Sequence, residues 1–251
     1  MAEGGALLRR YTGLNLYRGF ESLSLRHVSA RWALVLAAAM FGGWQSIDAA
    51  AATATLSDVI TAVRHMQARQ READEKYERL VGTLHVGQWM SIAPVLDRKL
   101  RAEYRTEVTR AQQGLRAYAQ ETARLRDQVK RYVEDVSTMG AEGAAFKRGY
   151  DRTSDSGEQM SRDTLANETD IYALVIRFYD FLDDPAIRYQ TTQTQILFES
   201  EANLKRYKAF FAELKTLSAR AEELQQMAVK KRAEAEEKMK AATKESARTG
   251  K

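Results

Sequence analysis

From Leu56 onward, apolar residues return at every third or fourth position. The first series is Leu56, Val59, Val63, Met66, Ala73, Tyr77, Leu80 and Leu84, with the polar Gln70 where an apolar residue is due. The second runs Val108, Ala111, Leu115, Tyr118, Leu125, Val129, Tyr132, Val136 and Met139, with Thr122 as its soft position. The third is Tyr207, Phe210, Leu214, Leu217, Ala221 and Leu224. Such a 3-4 alternation holds one narrow stripe toward a neighbouring helix, which predicts lengthwise, left-handed helix packing. Tyrosines within the stripe suit a bundle better than a tight two-stranded coil, because each hydroxyl must reach water or a partner.

The breaks in this pattern divide it into helices over about 56–86, 95–139, 158–183 and 186–240. Gly87 and Pro94 in "HVGQWMSIAP" mark a turn, and proline is tolerated at a helix start because its missing N–H would be unpaired there anyway. "GAEGAAFKRGYDRTSDSG", 140–157, is glycine-rich and aperiodic, and is expected to be a long connection. In "DDPAIRY", Asp184 is the expected N-cap and Pro185 the first residue of the last helix. Beyond Met227 the apolar stripe fades, which sets a charged tail at 229–251 behind a bundle at 56–228. No strand is expected anywhere.

One segment is apolar on nearly every side: "DIYALVIRFYDFLDD", Asp170–Asp184. A helix of that kind must be covered all round. It is either the central helix of the bundle or a docking face for another protein. The candidate partner-binding residues are therefore Ile171, Tyr172, Val175, Phe178, Tyr179 and Leu182, joined by Tyr207, Phe210 and Leu214 of the last stripe.

Ahead of the heptads lies "RWALVLAAAMFGGWQSIDAAAATATL". The uncharged run Trp32–Ile47 would extend about 24 Å as a helix, short of the roughly 30 Å hydrocarbon core. Continuing to residue 55 supplies the length but takes in Asp48, and alanine and glycine enter lipid weakly. The reading preferred here is a retained transmembrane anchor at 32–55. A secretory signal cut near Ala50 and an alanine-rich core helix are the alternatives. Arginines precede the span, so the positive-inside rule places the N-terminus on the matrix or cytoplasmic side. Residues 1–31 read as a mitochondrial targeting segment or as an amphipathic tail, with Leu7, Leu8, Tyr11 and Leu14 on one side. Arg9, Arg10, Arg18, Arg26 and Arg31 are its candidate contacts to anionic lipid.

Composition narrows the chemistry. The absence of cysteine excludes disulfides, thiolate metal sites and cysteine nucleophiles. His27, His65 and His85 are not spaced as a ligand pair, no Glu-x-x-His motif is present, and no phosphate-binding glycine loop follows a strand. The net charge of +5 is modest, and the basic run Asp97–Arg131 is interleaved with Glu103, Glu107, Glu121 and Asp127, which argues against nucleic acid. The expectation is an all-α protein: a single transmembrane helix followed by an elongated antiparallel helical bundle with coiled-coil-like heptad packing. It is expected to be no enzyme, with no catalytic residue, cofactor, metal or small-molecule substrate. Its expected partners are other subunits of a mitochondrial or bacterial inner-membrane complex, and membrane lipid. The competing classes are a bundle secreted after signal cleavage and a receptor-like sensor, the latter weakened by the short segment left on the inner side.

Overall fold

The computed structural model describes residues 9–12, 53–138, 140–192 and 195–249, and these are predominantly helical. Strand β1 (Arg9–Thr12) comes first, then helix α1 (Thr53–Gly82), a 3-10 turn at Val86–Gln88 and the single turn α2 (Ala93–Leu96). Helices α3 (Arg98–Ser137) and α4 (Ala141–Asp183) follow, then strands β2 (Tyr189–Thr191) and β3 (Gln195–Phe198), and helix α5 (Glu201–Thr249). Among the described residues no helix is long and apolar enough to cross a membrane. The expected anchor at 32–55 lies outside them except for Thr53, Ala54 and Thr55, which open α1.

The chain divides into two compact units, one of residues 1–24, 80–114 and 166–223, the other of 25–79, 115–165 and 224–251. In the first unit, Asp97 caps α3, its Oδ1 accepting from the backbone N–H groups of Lys99 (2.8 Å) and Leu100 (3.1 Å). The core is aromatic. Phe178 lies 5.6–6.0 Å, ring centre to ring centre, from Tyr179, Tyr207, Phe210 and Phe211. Phe198 of β3 joins it against Phe181 and Tyr207. Offset and edge-on ring pairs of this kind add to the stabilisation from area burial alone.

The sheet corrects the expectation of no strands and of a last helix starting at Pro185. Its order is β1-β3-β2, all antiparallel, with Arg9 opposite Phe198 and Thr12 opposite Gln195. Asp184 caps a turn instead of a helix, its Oδ1 accepting from the Ala186 N–H at 2.9 Å and its carbonyl from the Ile187 N–H. After it, "YQTTQTQILF" alternates, and Ile196 and Phe198 are buried while Leu197 is only half so. β-Branched and aromatic residues at period two favour a pleated strand over a helix. β1 is likewise a strand where an amphipathic helix through Tyr11 was expected. Its pairing sets Arg9–Thr12 beside Gln195–Phe198.

In the second unit, the expected loop at 140–157 is helix. Among the described residues, Gly140 breaks the backbone there, with φ +92°. Gly143, Tyr150 and Gly157 are buried at seven-residue spacing, small and aromatic residues in place of aliphatic ones. A Cβ at Gly143 would stand 1.9 Å from the Val136 carbonyl oxygen, a close approach that only glycine permits. Tyr150 packs with Val129 and Val133, with Met66 against them. Lys147 bridges Glu134 and Asp151.

Candidate functional site

Each unit holds a polar cluster within otherwise apolar packing. In the first, the connection between α1 and α3 turns inward. Trp89 is fully buried, its indole edge-on to Tyr172 at 5.8 Å. Its Nε1 donates to Glu107 Oε2 at 2.9 Å. The same carboxylate accepts from the His85 backbone N–H at 3.0 Å and lies 2.8 Å from His85 Nδ1. Burial opposes ionisation of Glu107, but these donors outweigh it and hold the carboxyl below the usual range. The Trp89 carbonyl accepts from Tyr179 Oη at 2.6 Å, and Tyr104 Oη donates to Gln88 Oε1 at 2.6 Å. Burial pushes the Tyr179 hydroxyl well above its ordinary range, so it stays a donor.

Beside this knot, Arg101 is 4% exposed. Its Nε and Nη2 each lie 2.9 Å from Asp183 Oδ1, and its Nη1 donates to the Pro94 carbonyl at 2.6 Å. Arg105 reaches Asp180 at 2.7 Å and Asp183 at 3.2 Å. The end of α4 and the C-terminal carbonyls of α2 are thus tied to the first turns of α3 by a guanidinium fork, a geometry that lysine cannot reproduce.

The second unit holds the other cluster, in the seam between α1 and α3. Gln70 Nε2 donates to Asp74 Oδ1 at 2.8 Å and lies 3.5 Å from Thr122 Oγ1. Tyr118 Oη donates to the same Asp74 oxygen at 2.9 Å, and its ring stacks on Tyr77 at 5.2 Å. Asp74 is 2% exposed, and among the described residues its Oδ2 has no hydrogen-bond partner. Burial pushes its carboxyl up to about 6, against the lowering effect of the Gln70 and Tyr118 hydrogen bonds, with Glu78 and Glu75 adding to the rise. Arg69 and Glu121 pair at 2.7 Å nearby.

The two polar interruptions of the apolar pattern, Gln70 and Thr122, are therefore brought together. Asp74, which accepts from Gln70 and Tyr118, and the buried Arg101 escaped sequence reasoning because charged residues on helices are ordinarily solvated. A spacing signal was present for Asp74: Gln70, Asp74, Tyr77 and Val81 follow one another at steps of four, three and four, and all are buried.

The expected partner-binding face turns out to be core. Ile171, Tyr172, Val175, Phe178, Tyr179, Leu182, Tyr207 and Leu214 are all buried within the first unit. Phe210 is partly buried, its ring 5.5 Å from Phe181. An apolar-all-round helix needs cover, and here the chain's own aromatics supply it. Of the arginines expected at lipid, Arg9 and Arg10 belong to β1, and Arg18, Arg26 and Arg31 lie outside the described residues. The basic run of α3 finds its counter-charges mainly on α4: Arg126 and Lys130 meet Glu158 at 2.9 and 3.1 Å, as Arg101 and Arg105 meet Asp183. Among the described residues no three His, Asp or Glu side chains gather as a metal site would require. Neither a protein-family model nor a curated protein nor a solved structure matches the chain.

Proposed function

We propose that this chain is a non-catalytic accessory or scaffold subunit of an inner-membrane assembly, mitochondrial or bacterial. In this reading the apolar segment 32–55 holds the front of the chain at the lipid. Helices α1, α3, α4 and α5 pack as an antiparallel bundle along heptad seams and act on other subunits through helical contacts. The observation that carries the reading is the use made of the reactive groups. His85, Trp89, Arg101, Glu107, Tyr179 and Asp183 all hold one backbone segment to another. Long helices fixed by such ties suit positional work better than turnover, which needs a reactive group facing a ligand.

The test is what accompanies the chain out of the membrane. Carbonate washing should leave it in the pellet, and native mass spectrometry after gentle detergent release should find it in a defined complex with other proteins. A chain released by carbonate, or one recovered alone from gently solubilised membranes, would overturn the reading.

A further inference from the structure

We infer that Asp74 and Glu78 of α1 form a binding site for a hydrated divalent cation of the Mg²⁺ kind, on the seam between α1 and α3. The two acids stand one helical turn apart and so share a face of α1. Helical side chains lean toward the N-terminus, which carries the Glu78 carboxyl back over Asp74. Asp74 is 2% exposed, and its Oδ1 accepts from both Gln70 and Tyr118, at 2.8 and 2.9 Å. Its Oδ2 is buried and has no hydrogen-bond partner among the described residues. Glu78 Oε1 is buried and unpartnered in the same way.

Buried carboxylate oxygens without donors are costly, and the ordinary remedies are an opposite charge or a metal ion. The groups around Asp74 supply neither. Glu78 and Glu75 are acids that disfavour its charge further, Tyr118 of α3 donates to Oδ1, and Arg69 pairs with Glu121. A cation between Asp74 Oδ2 and Glu78 Oε1 gives both oxygens what they lack and leaves Oδ1 to its two donors. Glu78 is only partly buried, which puts solvent on that side of the ion.

The donor set selects the ion. Among the described residues no third His, Asp or Glu joins the pair, so a closed cage of protein ligands is not formed. Zinc favours nitrogen and sulfur ligands, and calcium a larger set of oxygens. Mg²⁺ gives up its water reluctantly and is commonly held by one or two carboxylates, with water filling the rest of its octahedron. Bound there, it competes with the proton for Asp74, because the ligand must be ionised.

The test is calorimetric titration of the full chain in mild detergent with MgCl₂ at pH 7.5, with NaCl holding the ionic strength constant. Saturable one-site binding is expected, with a melting temperature that rises as the site fills. Asp74→Asn and Glu78→Gln should each weaken binding on the order of tenfold or more. Glu75→Gln, at a surface residue paired with Arg79, should change it by no more than about twofold. Lowering the pH to 5 should weaken binding about tenfold, since the Asp74 carboxyl is raised to about 6 and is then mostly protonated. Should Asp74→Asn fail to fold, Glu78→Gln decides alone, because its carboxyl makes no hydrogen bond at Oε1 for the fold to lose. Absence of saturable Mg²⁺ binding overturns the inference. So does a folded Glu78→Gln chain that binds as tightly as the parent, or binding that is unchanged between pH 7.5 and pH 5.

Discussion

Asp74→Asn tests whether the buried polar layer of the second unit costs stability when it is charged. The Asp74 carboxyl is raised from 3.8 to about 6, chiefly because burial strips water from the anion. A raised carboxyl binds more protons folded than unfolded between those values, so its effect on stability runs downward as pH rises. Below the unfolded value both states are protonated and no penalty exists. Above the folded value both are ionised, and the folded state bears all of it. A shift of about two units corresponds to about 3 kcal/mol at 1.36 kcal/mol per unit. Asparagine cannot ionise, and its carbonyl can accept from Gln70 and Tyr118 as Asp74 Oδ1 does. Its amide adds an unpaired buried donor, but at the same cost at every pH. The readout is therefore the difference between variant and parent across pH, from urea unfolding followed by far-UV circular dichroism, with amide exchange over residues 70–80 to isolate this unit. From pH 4, where about 0.5 kcal/mol of the penalty is already present, to pH 7.5 that difference should move by about 2.5 kcal/mol in favour of the variant. Glu107 and Glu158, whose lowered values give the opposite slope at lower pH, cancel because both proteins carry them. A difference that stays flat across pH would refute the reasoning.

Further substitutions probe the other ties. Arg101→Ala should lower stability by about 1–3 kcal/mol, since it strips the Pro94 carbonyl of its donor and Asp183 of one of its arginines while Arg105 remains, and Arg101→Lys should restore less than half of that in the same urea titration. Glu107→Ala strands the Trp89 indole N–H and should cost about 1–3 kcal/mol, with Trp89→Phe in the same background costing less than it does alone in a double-mutant cycle. Gly143→Ala drives a methyl into the Val136 carbonyl and should lower the melting temperature despite alanine's better helix propensity. Gly82→Ala meets nothing within 4 Å and should be neutral or stabilise by up to about 1 kcal/mol.

The helices were legible wherever burial follows the helical period on bulky residues. On α3 the stripe Val108, Ala111, Leu115, Tyr118, Thr122, Leu125 and Val129 is buried as its spacing implies. It then departs from the sequence reading, because Val133 and not Tyr132 is buried next, two successive steps of four that shift the seam by one position. On α5 a similar offset buries Phe211 and Ser218, while Phe210 and Leu217 flank them. Apolar residues at neighbouring positions leave the seam ambiguous by one residue, and only the partner surface decides. The helix over 141–157 was hidden because glycine carries no hydropathy signal even where, as at Gly143, it permits a close backbone approach. The sheet was hidden because its short alternation is interrupted by polar threonine and glutamine, and because β1 comes from the far end of the chain, a pairing that no local pattern encodes.

The polar layer and the shifted seam bear on the same question, which is how α1 finds its alignment on α3. An apolar stripe alone is tolerant: sliding one helix by a heptad exchanges one set of aliphatic contacts for another of similar value. Gln70, Asp74, Tyr118 and Thr122 remove that tolerance, because a slipped alignment would leave a carboxyl, an amide and two hydroxyls buried against hydrocarbon. The Tyr77–Tyr118 stack adds a second match at the same level. If the layer fixes alignment, replacing all four polar residues by apolar ones of similar volume should raise stability while loosening register. Cysteine pairs placed across α1 and α3 would then close in shifted as well as native combinations. A stabilised variant that closes only the native pair would show that alignment is set elsewhere, by the Arg69–Glu121 bridge or by the stutter at Val129–Val133.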